Sequence, residues 1–514
     1  MQTVRVHGAS IEGAGALIVT VEARFEPGDQ GTTDIQLTGL PDSVLRESRG
    51  RLACVLASAR MRPSAGRLHL HLVPAARRKS GEGLDLALAI AAAAALGYIS
   101  PRQVEGALLL GEVGIDGRLF ATPGGLAAAV AARRLGIRDV VAPPETAAEI
   151  AALDDVRAFS AAEIADVLRV LTHAVGDEDA PAPLGAPPPP LDAANPARLD
   201  EVRGQEGAKL ALQVAAAGGH GIVFAGPPGA GKSMLAQRLV DLLPPMTIDE
   251  RIEVTSILSA TGRWPRGLAA QRPFRAPHHT TSYAGLVGGG SPIAPGEITL
   301  AHRGVLFLDE LPEFGRDALE GLRQPLEEGV VHLARASRRE TLPTRFQLVA
   351  AMNPCPCGYA GHPRIACHCA PAAVRRYRQR ISGPLLDRID LRVSLQPAAP
   401  GVLVGAGLDG DADPPRLPGD ELAHAVRLAR RRAAARREQD GVPNAGLGVE
   451  ALDAVAPLGR DARSLLLRAA RENELSARAV QSVRRVARTL ADLADQDDVD
   501  ASAIAAALAL REPL

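Results

Sequence analysis

Three short apolar runs stand out in the middle of the chain: Gly221-Ile-Val-Phe-Ala225, Val305-Leu-Phe-Leu308 and Phe346-Gln-Leu-Val-Ala-Ala-Met352. Each is too short for a helix and apolar almost throughout, Gln347 excepted, the pattern of a buried strand. Met234 to Leu243, after the first run, reads as a helix. Near the C-terminus, Leu475, Ala479, Val483, Val486, Leu490 and Leu493 recur at helical spacing and mark one buried face. The first 175 residues alternate β-like runs (Ile35-Gln-Leu-Thr, Leu68-His-Leu-His-Leu-Val) with Ala-rich helical stretches, an α+β or α/β pattern. The longest apolar run, Leu86 to Ile99, is too short to span a bilayer, so no membrane association is expected.

Between these patterned regions lie two segments that cannot build a core. Residues 176–197 are Pro-, Ala- and acid-rich and include Pro187-Pro-Pro-Pro190, which predicts a stiff linker. Residues 397–419 are rich in Pro, Gly and Asp. The chain of 514 residues exceeds one core. It divides into an N-terminal domain (1–175), a central α/β domain (198–396) and a C-terminal helical region (420–514). A formal net charge of −1 excludes a globally basic nucleic-acid coat, so any nucleic-acid contact must come from local patches. Met-Gln-Thr-Val-Arg-Val at the start lacks the apolar core of a signal peptide. With five cysteines, four of them crowded together, a reducing compartment is expected, and the cytoplasm is the default.

Chemistry clusters at the ends of the three apolar runs. The first is followed by Gly226-Pro227-Pro228-Gly229-Ala230-Gly231-Lys232-Ser233, which matches G-x-x-x-x-G-K-[ST], and then by Met234 in the helix. Glycines let backbone N–H groups close around phosphates, and the helix N-terminus adds positive potential. Lys232 would reach the β/γ oxygens, and Ser233 would hold Mg²⁺. The second run ends in Asp309 and Glu310. Asp309 would complete the Mg²⁺ environment, and Glu310 would polarise the attacking water. The third ends at Asn353, an amide able to orient water near a γ-phosphate, although Asn is also a common turn residue. Ser382-Gly-Pro-Leu-Leu-Asp387-Arg388-Ile-Asp390 sets an arginine among acids, either a structural ion pair or an arginine finger for a neighbouring subunit.

The order of these motifs, with Arg272-Pro-Phe-Arg-Ala-Pro-His-His279 and the stretch Pro-Gly-Glu-Ile-Thr-Leu-Ala-His-Arg-Gly before Val305, resembles the Mg-chelatase-like AAA+ ATPases. The ComM/YifB branch is most similar, along essentially the whole chain. The resemblance implies a homo-hexameric ring with ATP sites between subunits. It gives Lys232 and Ser233 to Walker A, Asp309 and Glu310 to Walker B, and Asn353 to sensor 1. Arg388 falls on the arginine finger and Arg478, in Ser476-Ala-Arg478, on sensor 2 at the start of a C-terminal helical lid. It implies an ATP-driven DNA motor for branch migration during recombination, as in natural transformation. A chelatase motor subunit and an ATP-switched assembly platform are the alternatives.

Two segments are candidate substrate loops. Gly288-Gly-Gly-Ser-Pro-Ile-Ala-Pro-Gly-Glu297 is a glycine- and proline-rich hairpin. Val330-Val-His-Leu-Ala-Arg335-Ala-Ser-Arg338-Arg339 carries arginines at a turn between β-like runs. Such arginines bind phosphates without reading bases, and the resemblance points them at single-stranded or branched DNA. His278-His279 is read as structural or interfacial rather than metal-binding, and the run Arg427, Arg430, Arg431, Arg432, Arg436, Arg437 as a solvated helix face.

Cys355-Pro-Cys357 and Cys367-His-Cys369, nine residues apart within the loop 353–370, predict a closed Zn²⁺ site of structural kind. The competing possibility is four reduced thiols, and His362 or His368 could replace one ligand. Cys54 stands apart and reads as a small core residue. In the first domain, Arg77-Arg-Lys-Ser-Gly-Glu-Gly-Leu-Asp85 and Leu110-Gly-Glu-Val-Gly-Ile-Asp-Gly-Arg-Leu119 resemble the Lon-protease-type fold (ribosomal S5 domain 2-like). Gly83 or Asp85 stands where the nucleophilic Ser would be, and Ala127 or a neighbour replaces the Lys. A dyad lacking both cannot acylate, so this domain is read as non-proteolytic.

Overall fold

The computed structural model describes residues 3–28, 33–39, 42–61, 65–75, 79, 82–173, 181–186, 195–290, 293–335, 338–397, 418–436 and 442–512. Most of the linker 397–419 and of Pro187–Pro190, together with Arg437, lies outside them. The chain folds as two units. One comprises Met1–Leu191 with Ile248–Ala270 and Pro292–Ala294; the other comprises Asp192–Thr247, Gln271–Ser291 and Pro295–Leu514.

The first unit is built on a mixed seven-stranded sheet in the order 33–38, 66–73, 15–27, 4–12, 107–109, 139–142, 157–160. Strands Val4–Glu12, Gly15–Pro27 and Gly66–Val73 pair antiparallel, and the other neighbours run parallel. Leu68, Leu70 and Leu72 turn inward and are fully buried, as the alternation with His69 and His71 predicts. Each such leucine contributes about 2 kcal/mol by leaving water. The apolar run from Leu86 becomes the helix Asp85–Ala95, buried almost throughout. Cys54 is exposed, not a core residue: on the helix Asp42–Ser58 the inward face is taken by Leu52, Val55 and Leu56.

A helix from the middle of the chain, Ile248–Ala260, completes this unit. Ser259 Oγ accepts the Ala127 N–H at 3.4 Å, and Glu149 takes the Leu126 N–H at 3.3 Å while also bonding Ser259. The block 198–396 read from the sequence is therefore interrupted, with 248–270 packing against the first unit.

The second unit holds a five-stranded sheet in the order 274–275, 305–308, 347–352, 222–225, 391–394, every neighbour parallel. The three apolar runs are adjacent strands of this sheet. They are buried on both faces because helices cover both, which is why their sequences do not alternate. C-terminal helices Gly419–Ala435, Ala477–Leu493 and Ala501–Ala509 share one apolar core with the sheet through Leu422, Val426, Val483, Val486 and Ile504.

A buried polar ladder fixes those helices to the sheet. His220, before the phosphate-loop strand, stands 2.8 Å from Asp390 through Nδ1 and 2.8 Å from Thr489 through Nε2. Ser482 donates to the other Asp390 oxygen at 2.5 Å, and Asn444 donates to Thr489 at 3.1 Å. Burial opposes the charge on Asp390, but His220 and these donors hold its carboxyl below the ordinary range. Three arginines of the run 427–437 are structural, not solvated. Arg430 caps the Ala216 carbonyl, Arg432 donates to the Asp492 carbonyl at 2.9 Å, and Arg436 pairs with the Asp492 carboxylate. Arg427 and Arg431 remain exposed.

Candidate nucleotide and metal sites

The phosphate loop leaves the C-terminal end of Ile222–Ala225 and feeds the helix Lys232–Leu242. Gly229 and Gly231 sit at φ +79 and +88, and a Cβ on either would meet nothing within 4 Å. The loop thus adopts backbone that side chains resist and keeps an open concavity above a helix N-terminus. Gly226 serves differently, since a Cβ there would lie 2.8 Å from the Leu395 carbonyl oxygen. Lys232 is buried, and its Nζ donates to the carbonyls of Gly226 (2.6 Å) and Pro227 (3.0 Å) and to Asn353 Oδ1 (3.0 Å). Burial lowers the pKa of its ammonium, while Asp309 and Glu310 pull it back up. An open cradle lined by N–H groups and a cation fits a triphosphate.

The parallel order brings the remaining candidates to the same sheet end. The strand Gln347–Met352 lies between Val305–Leu308 and Ile222–Ala225, so Asn353, Asp309 and the loop emerge side by side. Ser233 Oγ donates to Asp309 Oδ2 at 2.9 Å, a hydroxyl and a carboxylate oxygen paired as one Mg²⁺ would require. Glu310 adopts φ +52 and donates its N–H to Asp309 Oδ1 at 2.9 Å. His279 Nδ1 lies 3.1 Å from Glu310 Oε2, and its ring is tilted 32° against that of His278 with centroids 4.1 Å apart. Nothing local to either residue signals this pairing. It depends on the strand Phe274–Arg275 lying beside Val305–Leu308, and strand order is a tertiary fact.

Arg388 and Arg478 come together on one carboxylate, Glu327, which is not among the hydrogen-bonding partners of Lys232. Both guanidinium groups donate to Glu327, at 2.5 Å and 2.7 Å. Ser476, which caps the helix Ala477–Leu493, donates to Asp387 at 2.9 Å. Along the sequence Glu327 is one more acid near a helix C-terminus, with no feature that marks it out.

The four thiols of Cys355, Cys357, Cys367 and Cys369 lie within 4.8 Å of one another. Sulfur separations of 3.3 Å (Cys355–Cys357), 3.6 Å (Cys355–Cys367) and 3.6 Å (Cys357–Cys367) fall just inside the edge of a tetrahedral Zn–thiolate site, about 3.8 Å for bonds of ~2.3 Å. The donor set fits zinc without either histidine. His362 Nδ1 instead accepts the Arg364 and Ile365 N–H groups. The Tyr359 N–H and neighbouring thiols lower the Cys357 pKa to about 6. His278 and His279 take no part in this cluster.

The strands Val330–Arg335 and Arg338–Pro343 pair antiparallel, with Arg335 opposite Arg338 and Ala334 opposite Arg339. The hairpin expected from the sequence forms, and Arg339 is exposed. The side chains of Arg335 and Arg338 and the tip residues 336–337 lie outside the described set, as do 291–292 of the other candidate loop.

A phosphate loop, a strand-end carboxylate pair and an amide on adjacent parallel strands define the domain as a P-loop nucleotide-binding domain of the AAA+ kind. Residues 198–402 match the family described as magnesium chelatase, subunit ChlI; residues 21–146 match subunit ChlI of Mg-chelatase, and residues 418–511 match its C-terminal part. The chain is 36% identical to a protein named YifB from Salmonella typhimurium over 96% of this chain and 95% of the relative. It is 35% identical to the competence protein ComM of Haemophilus influenzae over 99% and 98%. Identity to the magnesium-chelatase 67 kDa subunit of Heliobacterium mobile is 28%, over 36% of this chain and 32% of that protein. The chain belongs to the ComM/YifB family of Mg-chelatase-like AAA+ ATPases.

Proposed function

We propose that this chain hydrolyses ATP to drive a hexameric ring of copies along DNA, acting at branched recombination intermediates. The supporting observation is the meeting of Lys232, Ser233, Asp309, Glu310 and Asn353 at one end of the parallel sheet. In this reading the loop N–H groups and Lys232 bind the β/γ-phosphates, the ammonium exchanging carbonyl partners for phosphate oxygens. Ser233 and Asp309 hold Mg²⁺, which when bound neutralises charge on those oxygens. Glu310 polarises the attacking water, with His279 steadying its carboxylate, and Asn353 orients that water. Arg388 supplies positive charge to the triphosphate of an adjacent copy, and Arg478 acts as the second sensor. ATP and water leave as ADP and phosphate.

DNA as the track rests on the relative named for competence and on the arginine-tipped hairpin. The family match to a chelatase subunit favours a second reading, a motor for Mg²⁺ insertion into a porphyrin. The cysteine cluster has no evident part in that chemistry. ATPase assays with forked DNA, with porphyrin, and with neither separate the readings. Stimulation by forked DNA, with strand exchange by the purified protein, supports the DNA motor. Stimulation by porphyrin alone transfers the chain to the second reading, and negligible turnover leaves an ATP-switched platform.

A further inference from the structure

Glu327 takes two guanidinium groups from segments distant in the chain. It lies near the end of the helix Arg323–Glu328 with its side chain 51% exposed, so the core does not need it. Oε2 accepts from Arg388 Nη2 at 2.5 Å, and Oε1 accepts from Arg478 Nη2 at 2.7 Å. Arg388, only 11% exposed, is held from its other end by the Pro384 carbonyl at 2.8 Å. Its buried Nε has no hydrogen-bond partner among the described residues. Arg478 belongs to the first turn of Ala477–Leu493, and the Ser476 bond to Asp387 ties that turn to the residue next to Arg388.

Two like charges would not settle side by side unaided, because each prefers its own water and anions. A carboxylate has two oxygens and about four acceptor positions, so it can hold both at once. An exposed ion pair is ordinarily weak. This one differs because one arginine is nearly buried and both are oriented through a single anion. We propose that Glu327 is the positioning residue for Arg388 and Arg478, fixing them as one unit that meets the same triphosphate and moves with the C-terminal helix. The proposal rests on the nucleotide reading above. In it, Glu327 never touches nucleotide.

The test uses the full chain with Glu327→Gln, Glu327→Asp, Arg388→Ala and the double variant Glu327→Gln/Arg388→Ala. ATPase kcat and KM, ATP Kd and Tm are measured for each. Glu327→Gln should lower kcat about tenfold, the size expected for a displaced charged group, with ATP Kd and Tm unchanged. Glu327→Asp should recover part of that loss. The double variant should be slower than Arg388→Ala alone by less than the Glu327→Gln factor, because the bracket then has only Arg478 left to hold. An unchanged kcat in Glu327→Gln overturns the proposal, and so do losses that multiply in the double variant. A wild-type chain that binds ATP but never hydrolyses it, alone or with DNA, defeats the hydrolysis reading itself and this proposal with it.

Discussion

Asp85 is one of the two residues, with Gly83, that the Lon-type resemblance would set at a nucleophile's position, and its burial makes it a measurable liability. Its side chain is 7% exposed at the start of the helix Asp85–Ala95, with Arg51 Nη1 3.3 Å from Oδ2. Burial raises its pKa from 3.8 to about 6, and the nearby Arg51 only partly offsets that. An acid whose folded pKa lies above its unfolded one binds its proton more tightly in the folded chain. Stability from this group is therefore whole below pH ~4, falls as pH rises from ~4 to ~6, and stays low above that. A shift of roughly two units corresponds to about 3 kcal/mol. Asp85→Asn keeps the shape and removes the ionisation. It should match wild type at pH 3.5 and exceed it by roughly 1–3 kcal/mol at pH 7, the lower end allowing for the lost Arg51 pairing. The chain's single tryptophan, Trp264, lies in the 248–270 segment of the same unit, so its fluorescence reports urea unfolding of that unit. A variant less stable than wild type at pH 7 would show that the ionised carboxylate is a net asset, and that Arg51 outweighs burial.

Glu310→Gln should still bind ATP while steady-state hydrolysis drops by about a hundredfold, the usual worth of a positioned base; near-normal turnover would remove Glu310 from the water-polarising role. Elemental analysis should find about one zinc per chain, absent once Cys355 and Cys367 are changed to Ser; a metal-free wild-type protein from zinc-replete cells would leave four reduced thiols as the answer. Replacing Arg335, Arg338 and Arg339 together with Ala should weaken DNA binding and flatten its salt dependence by about 0.7–0.9 in slope for each phosphate no longer neutralised, whereas an unchanged slope puts the DNA elsewhere.

How much the sequence disclosed depends on how local each feature is. The three strands are legible because a strand covered on both faces is apolar almost throughout, Gln347 being the exception, and the phosphate loop because its glycines and lysine act within eight consecutive residues. The thiol cluster is legible for the same reason. The helix 248–260 shows the limit. Its buried Val254, Thr255, Ile257 and Ser259 announce that something covers it, but nothing local says that the cover is the first unit. The run 427–437 fails for another reason. Arginine stems pack while their heads reach carbonyls, so a basic helix can be half structural without changing composition. The roles of His279 and Glu327 are invisible because their partners are set by strand order and by docking of the C-terminal helices.

The placement of the cysteine loop gives it a closer bearing on nucleotide than on any track. Its first cysteine, Cys355, stands two residues after Asn353, and Gly358 within it, at φ +86, approaches the phosphate loop so closely that a Cβ would lie 2.8 Å from Pro228 Cδ. Behind it, Arg378 reaches back to the Pro354 carbonyl at 3.3 Å and closes the segment on itself. The loop therefore touches the phosphate cradle at one point and is covalently joined to Asn353, which accepts from Lys232. Four ligands that immobilise such a loop fix the backbone that holds Pro228 and Asn353 in place. A metal held by these thiols would stiffen the backbone carrying Pro228 and Asn353, so its removal should register in ATP affinity even where DNA is absent.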